Sequence, residues 1–210
     1  MCGRFSLTWP ISAIREQMEF QLVGDLTWSP RYNIAPKSLV LTVVDRNGTR
    51  FGGLMSWGIT APWEKTRRLI NARRETLLTR PTFRHLARTR RAIVLADGYY
   101  EWDGATKQPY RFTDPAHGLW FFGALYQEHD DGPAEVTIVT TEALPALSRI
   151  HPRMPLILSE NAVNLWLDHE SHAFEAVLAL PLPPDVLCFP VSSKVNSTSA
   201  EGPELIQPQL

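Results

Sequence analysis

Leu39-Val40-Leu41-Thr42-Val43-Val44-Asp45-Arg46-Asn47-Gly48-Thr49-Arg50-Phe51-Gly52-Gly53-Leu54-Met55-Ser56-Trp57 is the stretch that decides the fold class. Residues 39–45 are rich in β-branched side chains, which fit a pleated strand better than a helix. Asn47-Gly48 then supplies two residues that tolerate positive φ, the strongest short hairpin signal, and residues 50–57 return as the partner strand. Working outward, residues 92–96, 109–113, 119–125 and 135–141 are further β-branched or aromatic runs bounded by turn residues. Helical spacing is confined to two places. Pro10 suits a first turn, and Ile11, Ile14, Met18 and Leu22 predict a helix over 10–22. Ser159 caps a second helix from Glu160 to Asp168. Strands outnumber helices without alternating regularly with them, which predicts an α+β fold with a mainly antiparallel, barrel-like β core. With no repeat and no low-complexity linker in view, residues 1–210 read as a single domain.

The chain has 210 residues, 44% hydrophobic and 10% aromatic with seven Trp, enough apolar material for a packed interior. Disorder and collagen-like or coiled-coil architectures are excluded by that composition. No apolar stretch approaches the ~18 residues of a membrane helix, and Arg4 is followed by no apolar signal segment. Cys2 and Cys188 are too few for a disulfide framework or a thiolate zinc site. The expectation is a soluble cytoplasmic monomer, with no membrane partner, metal or cofactor. Cys188, between Leu187 and Phe189, reads as a buried apolar thiol.

Charge is unevenly distributed. The whole chain sums to −1, yet residues 64–91 carry ten basic side chains against Glu64 and Glu75. Nine of the ten are Arg, whose planar fork suits phosphate oxygens. A solvated helical face is the plain explanation of a charge run; this density favours a local polyanion-binding groove.

The N-terminus has its own chemistry. A small residue after Met1 permits removal of the initiator, leaving an α-amine and a thiol on neighbouring carbons of Cys2. Their ordinary pKa values, about 7.7 and 8.5, give both groups nucleophilic forms near neutrality. An aminothiol of this kind condenses with aldehydes: the amine forms a Schiff base and the thiol closes it to a thiazolidine, a ring closure favoured because it is intramolecular. Partners for proton transfer stand in unusual contexts. Asp97-Gly98-Tyr99-Tyr100-Glu101-Trp102 sets Glu101 among aromatics, where desolvation raises a carboxyl pKa. Ile150-His151-Pro152-Arg153-Met154-Pro155 holds a His and an Arg in a stiff, irregular segment suited to a phosphate. Asn71 and Arg73 share one face if their segment is extended.

These pieces together resemble one family. Met1-Cys2-Gly3-Arg4-Phe5, Arg31-Tyr32-Asn33-Ile34-Ala35-Pro36, Trp57-Gly58 through Pro62-Trp63, and Ile70-Asn71-Ala72-Arg73-Arg74-Glu75-Thr76 occur in order. The two acid–base motifs and Pro203-Glu204-Leu205 follow them. This is the pattern of the SOS response-associated peptidases (SRAP), which process abasic sites. The resemblance implies that Cys2 captures the ring-opened sugar of an abasic site in single-stranded DNA as a thiazolidine crosslink, with associated lyase and autopeptidase activity. It further implies that Asn71 orients the terminus, Glu101 moves protons, and His151 favours ring opening. Arg4 and Arg73 would hold the DNA backbone, supported by Arg153 and Thr140, while Pro36 and Trp63 would wedge or stack against bases. Such a protein would associate with the nucleoid when bound to DNA.

Two departures are visible: Pro81 stands where some relatives carry Arg, and the tail 195–200 is less basic than in some members. Two other classes compete. An N-terminal-nucleophile amidohydrolase also begins with Met-Cys-Gly, and a non-covalent single-stranded DNA-binding module would use the Arg and Trp residues without Cys2.

Overall fold

In the computed structural model, which describes residues 2–169, 173–180 and 185–209, the chain opens with β1 (Phe5–Leu7), α1 (Ile11–Gln17), β2 (Gln21–Leu22) and β3 (Arg31–Ile34). The hairpin of β4 (Leu39–Arg46) and β5 (Thr49–Trp57) follows, then a smaller hairpin of β6 (Ile59–Ala61) and β7 (Glu64–Leu69). A single turn of 3-10 helix at Arg74–Thr76 separates β8 (Asn71–Arg73) from α2 (Pro81–Thr89). Next come β9 (Arg91–Ala96), β10 (Gly98–Trp102), β11 (Pro109–Thr113), β12 (Trp120–Gln127) and β13 (Glu135–Glu142). The chain finishes with β14 (Arg153–Pro155), β15 (Ile157–Leu158), α3 (Glu160–Leu167), α4 (Phe174–Val177), β16 (Leu187–Pro190) and two short 3-10 turns.

Two sheets pack face to face in a mixed α+β architecture. In the larger, β13, β12, β9, β4 and β5 are neighbours in that order, and β13 pairs back onto β5 through Glu135 opposite Ser56 and Val136 opposite Trp57. The sheet therefore closes into a ring, which removes the exposed edges that an open sheet leaves for aggregation. The smaller sheet has the order β16-β11-β10-β1-β3, so the first strand of the protein lies between two others. Phe5 packs edge-on against Trp57 and Phe122 of the ring at centroid distances of 5.0 and 6.1 Å, and Tyr99 stacks on Phe112 at 4.6 Å. Phe5, and Tyr99 through its contacts with Trp120 and Phe122 of the ring, join the two sheets, and the burial of Phe5 carries the N-terminal segment into the interior.

The hairpin expectation at Asn47-Gly48 holds: both residues have positive φ, 55° and 80°, and Asp45 Oδ1 accepts the Gly48 N–H at 2.8 Å. The strands at 92–96, 109–113, 119–125 and 135–141 are present within a residue or two, and Ser159 caps α3 by accepting the Ala162 N–H at 3.3 Å.

Four local expectations require correction. The helix expected over 10–22 ends at Gln17, and Leu22 lies in a strand. The residues after Met18 are drawn into parallel pairing with β5, Leu22 opposite Gly52, while Phe20 lies so close over Gly52 that a Cβ there would clash with its ring. Sheet pairing and burial outweigh helical spacing at this point. The basic run is not one surface: Arg91 is wholly buried, and Arg68 pairs with buried Glu135. Cys188 is half-buried on the edge strand β16 rather than enclosed. Arg153 lies in a strand paired to β13 rather than in an irregular segment.

Candidate active site

The position of the N-terminus follows from strand pairing. Phe5 is opposite Tyr99, and the Tyr100 N–H donates to Arg4 O at 2.9 Å. Because β1 and β10 are antiparallel, each step back from Arg4 moves toward Glu101 and Trp102. Cys2 is fully buried there. Burial pushes its thiol pKa well above the ordinary value, and the charge of Glu101 raises it further. A neutral buried thiol is a poor first nucleophile.

Asn71 reaches the same place from the other sheet. It begins β8, which runs parallel to β13 with Asn71 opposite Ile138. Its Nδ2 donates to Cys2 O at 2.8 Å. Its Oδ1 is buried and accepts no hydrogen bond among the described residues, leaving a carbonyl-type acceptor beside the start of the chain. Buried acceptors are ordinarily satisfied, so this one marks a place where a donor belongs.

Glu101 is 5% exposed. Burial pushes its pKa up to about 7, since a carboxylate loses hydration when it is enclosed. At neutral pH the group therefore divides between acid and base. His151 Nδ1 lies 3.7 Å from Glu101 Oε1. The same nitrogen is 3.1 Å from both the backbone N and the carbonyl O of Arg153, so either tautomer finds a backbone partner. Partial burial lowers the His151 pKa and so favours the neutral ring.

Cys2, Asn71, Glu101 and His151 thus gather at one end of β1, joined by hydrogen bonds, close approach or mutual electrostatics. Around them, Arg153 is committed within the protein: Nη1 contacts both Glu75 oxygens at 2.9 Å, and Nη2 donates to Thr140 O at 2.6 Å and to Thr140 Oγ1 at 3.2 Å. Thr140 is buried and lies opposite Arg73 in the β8–β13 register. Arg73 itself is exposed. Arg4 points away from solvent, donating to Asn33 Oδ1 at 2.8 Å and Val195 O at 2.7 Å, with its guanidinium 5.7 Å from the Trp102 ring.

Pro36 and Trp63 are linked to each other's supports. The turn containing Pro36 is bonded to Trp57 by Lys37 N to Trp57 O at 2.8 Å and Trp57 N to Ser38 O at 2.9 Å. One residue later, at Gly58 with φ of 119°, the chain departs into the β6–β7 arm. Trp63 sits at the tip of this arm, 57% exposed. The arm returns at Leu69, two residues before Asn71.

Three supporting residues were not assigned roles from sequence. Asn33 receives Arg4 and donates to the carbonyls of Ser197 and Ala200 at 2.8 and 2.9 Å; Glu75 holds Arg153; Asp97 accepts from Ser6 and Thr8 and pairs with buried Arg111 at 3.1 Å. Each falls inside a motif quoted above, but nothing local reveals its distant partner. Among the described residues no three His, Cys, Asp or Glu side chains gather as a metal would require, and no helix is long and apolar enough to cross a membrane. Met1, whose removal the N-terminal chemistry requires, lies outside the described residues.

Comparison with known proteins shows the family. The chain is 34% identical to the abasic site processing protein YoqW of Bacillus subtilis (strain 168), over 99% of both chains. It is 34% identical to the abasic site processing protein YedK of Escherichia coli (strain K12), over 99% of this chain and all of that one. The chicken abasic site processing protein HMCES is 28% identical, across 92% of this chain and 70% of its own length. A crystal structure of a protein from Bacteroides thetaiotaomicron superposes with a TM-score of 0.84 over the full length of both chains at 20% identity, a likeness of fold. The family model for SOS response associated peptidases (SRAP) matches residues 1–198. With its motifs in order along the chain and the residues of those motifs meeting around Cys2, the protein belongs to the SRAP family.

Proposed function

We propose that the protein processes abasic sites in single-stranded DNA by forming a covalent thiazolidine with the sugar aldehyde. The observation that carries this reading is the burial of Cys2 against Asn71 and Glu101, with the Glu101 carboxyl pushed up to about 7. Removal of Met1 by hydrolysis of its peptide bond exposes the α-amine of Cys2, and the Asn71 Oδ1 is the acceptor that orients it. His151, neutral and beside Glu101, assists opening of the sugar ring. The amine nitrogen adds to the aldehyde carbon, and water leaves to give a Schiff base. The thiol then adds across the C=N bond: sulfur joins the carbon and its proton ends on nitrogen, relayed by Glu101. The order of events follows from the electrostatics, because the thiol is held neutral and delivers its proton only as it attacks. The same Schiff base acidifies the neighbouring sugar carbon, so proton loss from it expels the adjacent phosphate, which is the lyase step. Arg73 and the exposed Trp63 serve the strand itself, through phosphate contact and base stacking.

A denaturing gel tests the reading. The processed protein, incubated with abasic single-stranded DNA, gives a band of slower mobility that survives denaturation. Cys2→Ala abolishes it, and so does acetylation of the α-amine with the thiol left intact. Binding without any adduct in the parent protein would leave a non-covalent module; an adduct that persists in Cys2→Ala would place the nucleophile elsewhere.

A further inference from the structure

Ten of the seventeen arginines of this chain are engaged within the protein. Arg4, Arg31, Arg46, Arg50, Arg68, Arg74, Arg90, Arg91, Arg111 and Arg153 have side-chain partners within the protein. Among the described residues, Arg15, Arg67, Arg73, Arg80, Arg84, Arg88 and Arg149 have no ion pair or side-chain hydrogen bond, and all are exposed; of these, Arg80, Arg84 and Arg88 belong to one helix and its N-cap. They recur along α2 from its N-cap onward at intervals of four residues, while Phe83, Leu86 and Ala87 of the same helix are buried. No Asp or Glu occurs between Glu75 and Asp97 to neutralise them.

The arrangement works against helix stability. Arg80 at the N-cap and Arg84 near the first turn face the positive end of the helix dipole, and no acidic residue or side-chain cap offsets them. Like charges four residues apart also repel. Packing of the buried face holds α2 in place, and folding has no use for three aligned cations. Where local rules are broken without a structural return, function is the usual reason. At ~1.5 Å per residue the three guanidinium stems span ~12 Å, the axial length of three to four nucleotides of a strand at ~3.4 Å each.

We infer that the exposed Arg80–Arg84–Arg88 face of α2 is a second phosphate-tracking strip, which binds the DNA strand flanking the abasic nucleotide, outside the reacting site. The inference rests on the abasic-site reading for its substrate and goes beyond it by assigning a length requirement to that substrate. Arg73 and α2 lie on one short path of chain, separated by the 3-10 turn at Arg74–Thr76 and the residues up to Arg80. Charge complementarity selects the occupant: three guanidinium groups with no internal acid are matched by successive phosphates.

The test compares two single-stranded oligonucleotides, one ending within a few nucleotides of the abasic position and one extending about a dozen nucleotides on each side. The readout is the ratio of their half-saturating concentrations, for adduct formation and, with intact versions of both strands, for binding by fluorescence anisotropy. The parent protein prefers the long strand by about 10-fold or more, and Arg80→Glu/Arg84→Glu/Arg88→Glu removes that preference. Its binding to the long strand also loses about 2 from the slope of log affinity against log salt. Glu at these positions favours the helix N-terminus; should the triple Glu variant fail to fold, the triple Gln variant replaces it. A length ratio that survives the substitutions, or a parent with no length preference, overturns the strip. Equal loss on both strands overturns it too, since that is the mark of a damaged fold. Absence of any adduct in the parent would sink the abasic-site reading alone, because anisotropy still reports the ratio.

Discussion

Glu101 concentrates the residue-scale physics. Its pKa is pushed up to about 7 by burial, so the native state keeps a proton between about pH 4.5 and 7 that an unfolded chain has already released. The native state then binds more protons than the unfolded state, and stability falls as pH rises through that window. Glu101→Gln, uncharged at every pH, removes the penalty. Unfolding by urea is expected to find the variant equal to the parent near pH 4 and more stable near pH 8, by up to about 3 kcal/mol. Loss of the proton shuttle acts in the opposite sense on chemistry: adduct formation is expected to slow by about 100-fold or more while affinity for the strand is kept. A variant that crosslinks at the parent rate would remove Glu101 from the mechanism. The burial behind these effects was legible only as a context of aromatics in Tyr99-Tyr100-Glu101-Trp102. The approach of His151 to within 3.7 Å depends on a loop fifty residues later.

At the scale of elements, the β6–β7 arm is the most separable part of the molecule. Among the described residues its two strands pair only with each other, and its root is held by Glu135 of β13. Glu135 accepts from the Thr60 N–H and hydroxyl, both at 2.7 Å, pairs with Arg68, and lies 3.0 Å from His129 Nε2. Glu135→Ala strips the arm of these contacts and leaves the Thr60 amide unsatisfied. The expected results are a loss of about 1–3 kcal/mol in stability and faster amide exchange over residues 59–69. Stacking by Trp63 weakens with them, as seen in reduced quenching of its fluorescence by DNA. Unchanged exchange in the arm would show that backbone pairing alone holds it. Hydrophobic periodicity could not reveal this device. Glu64-Lys65-Thr66-Arg67-Arg68 has no apolar alternation, and its strand character comes from the Arg68–Glu135 pair and from pairing with β6. The β4–β5 hairpin is the contrary case, because Asn47-Gly48 encodes its turn in two adjacent residues.

Across the whole molecule, the two ends of the chain secure one another. Asn33 on β3 holds the carbonyls of Ser197 and Ala200, while Arg4 on the approach to β1 holds Val195 O and Asn33 Oδ1. Val195 and Leu205 from the tail pack with Tyr100 and Val191 in a small core of their own. The tail thereby backs the strand that carries Glu101. Asn33→Ala is expected to lower stability by about 2 kcal/mol or more, since several buried partners lose their bonds together. Limited proteolysis then cuts the C-terminal segment before the ring of strands. A variant whose tail resists protease as the parent does would contradict that role.

The sequence by itself determined the α+β class, the positions of the main strands, the Met1-Cys2 pair whose processing would leave an aminothiol, and the motifs that meet around Cys2. Each of these depends on neighbours in the chain: side-chain branching, turn chemistry, and two functional groups on adjacent carbons. Tertiary structure alone decided which arginines are engaged within the protein, that Leu22 belongs to a strand, and that Asn71, Glu101 and His151 converge on Cys2. Those outcomes turn on burial and on partners distant in sequence. A guanidinium enclosed by carbonyls, as at Arg91, and one left in water, as at Arg84, are written with the same letter.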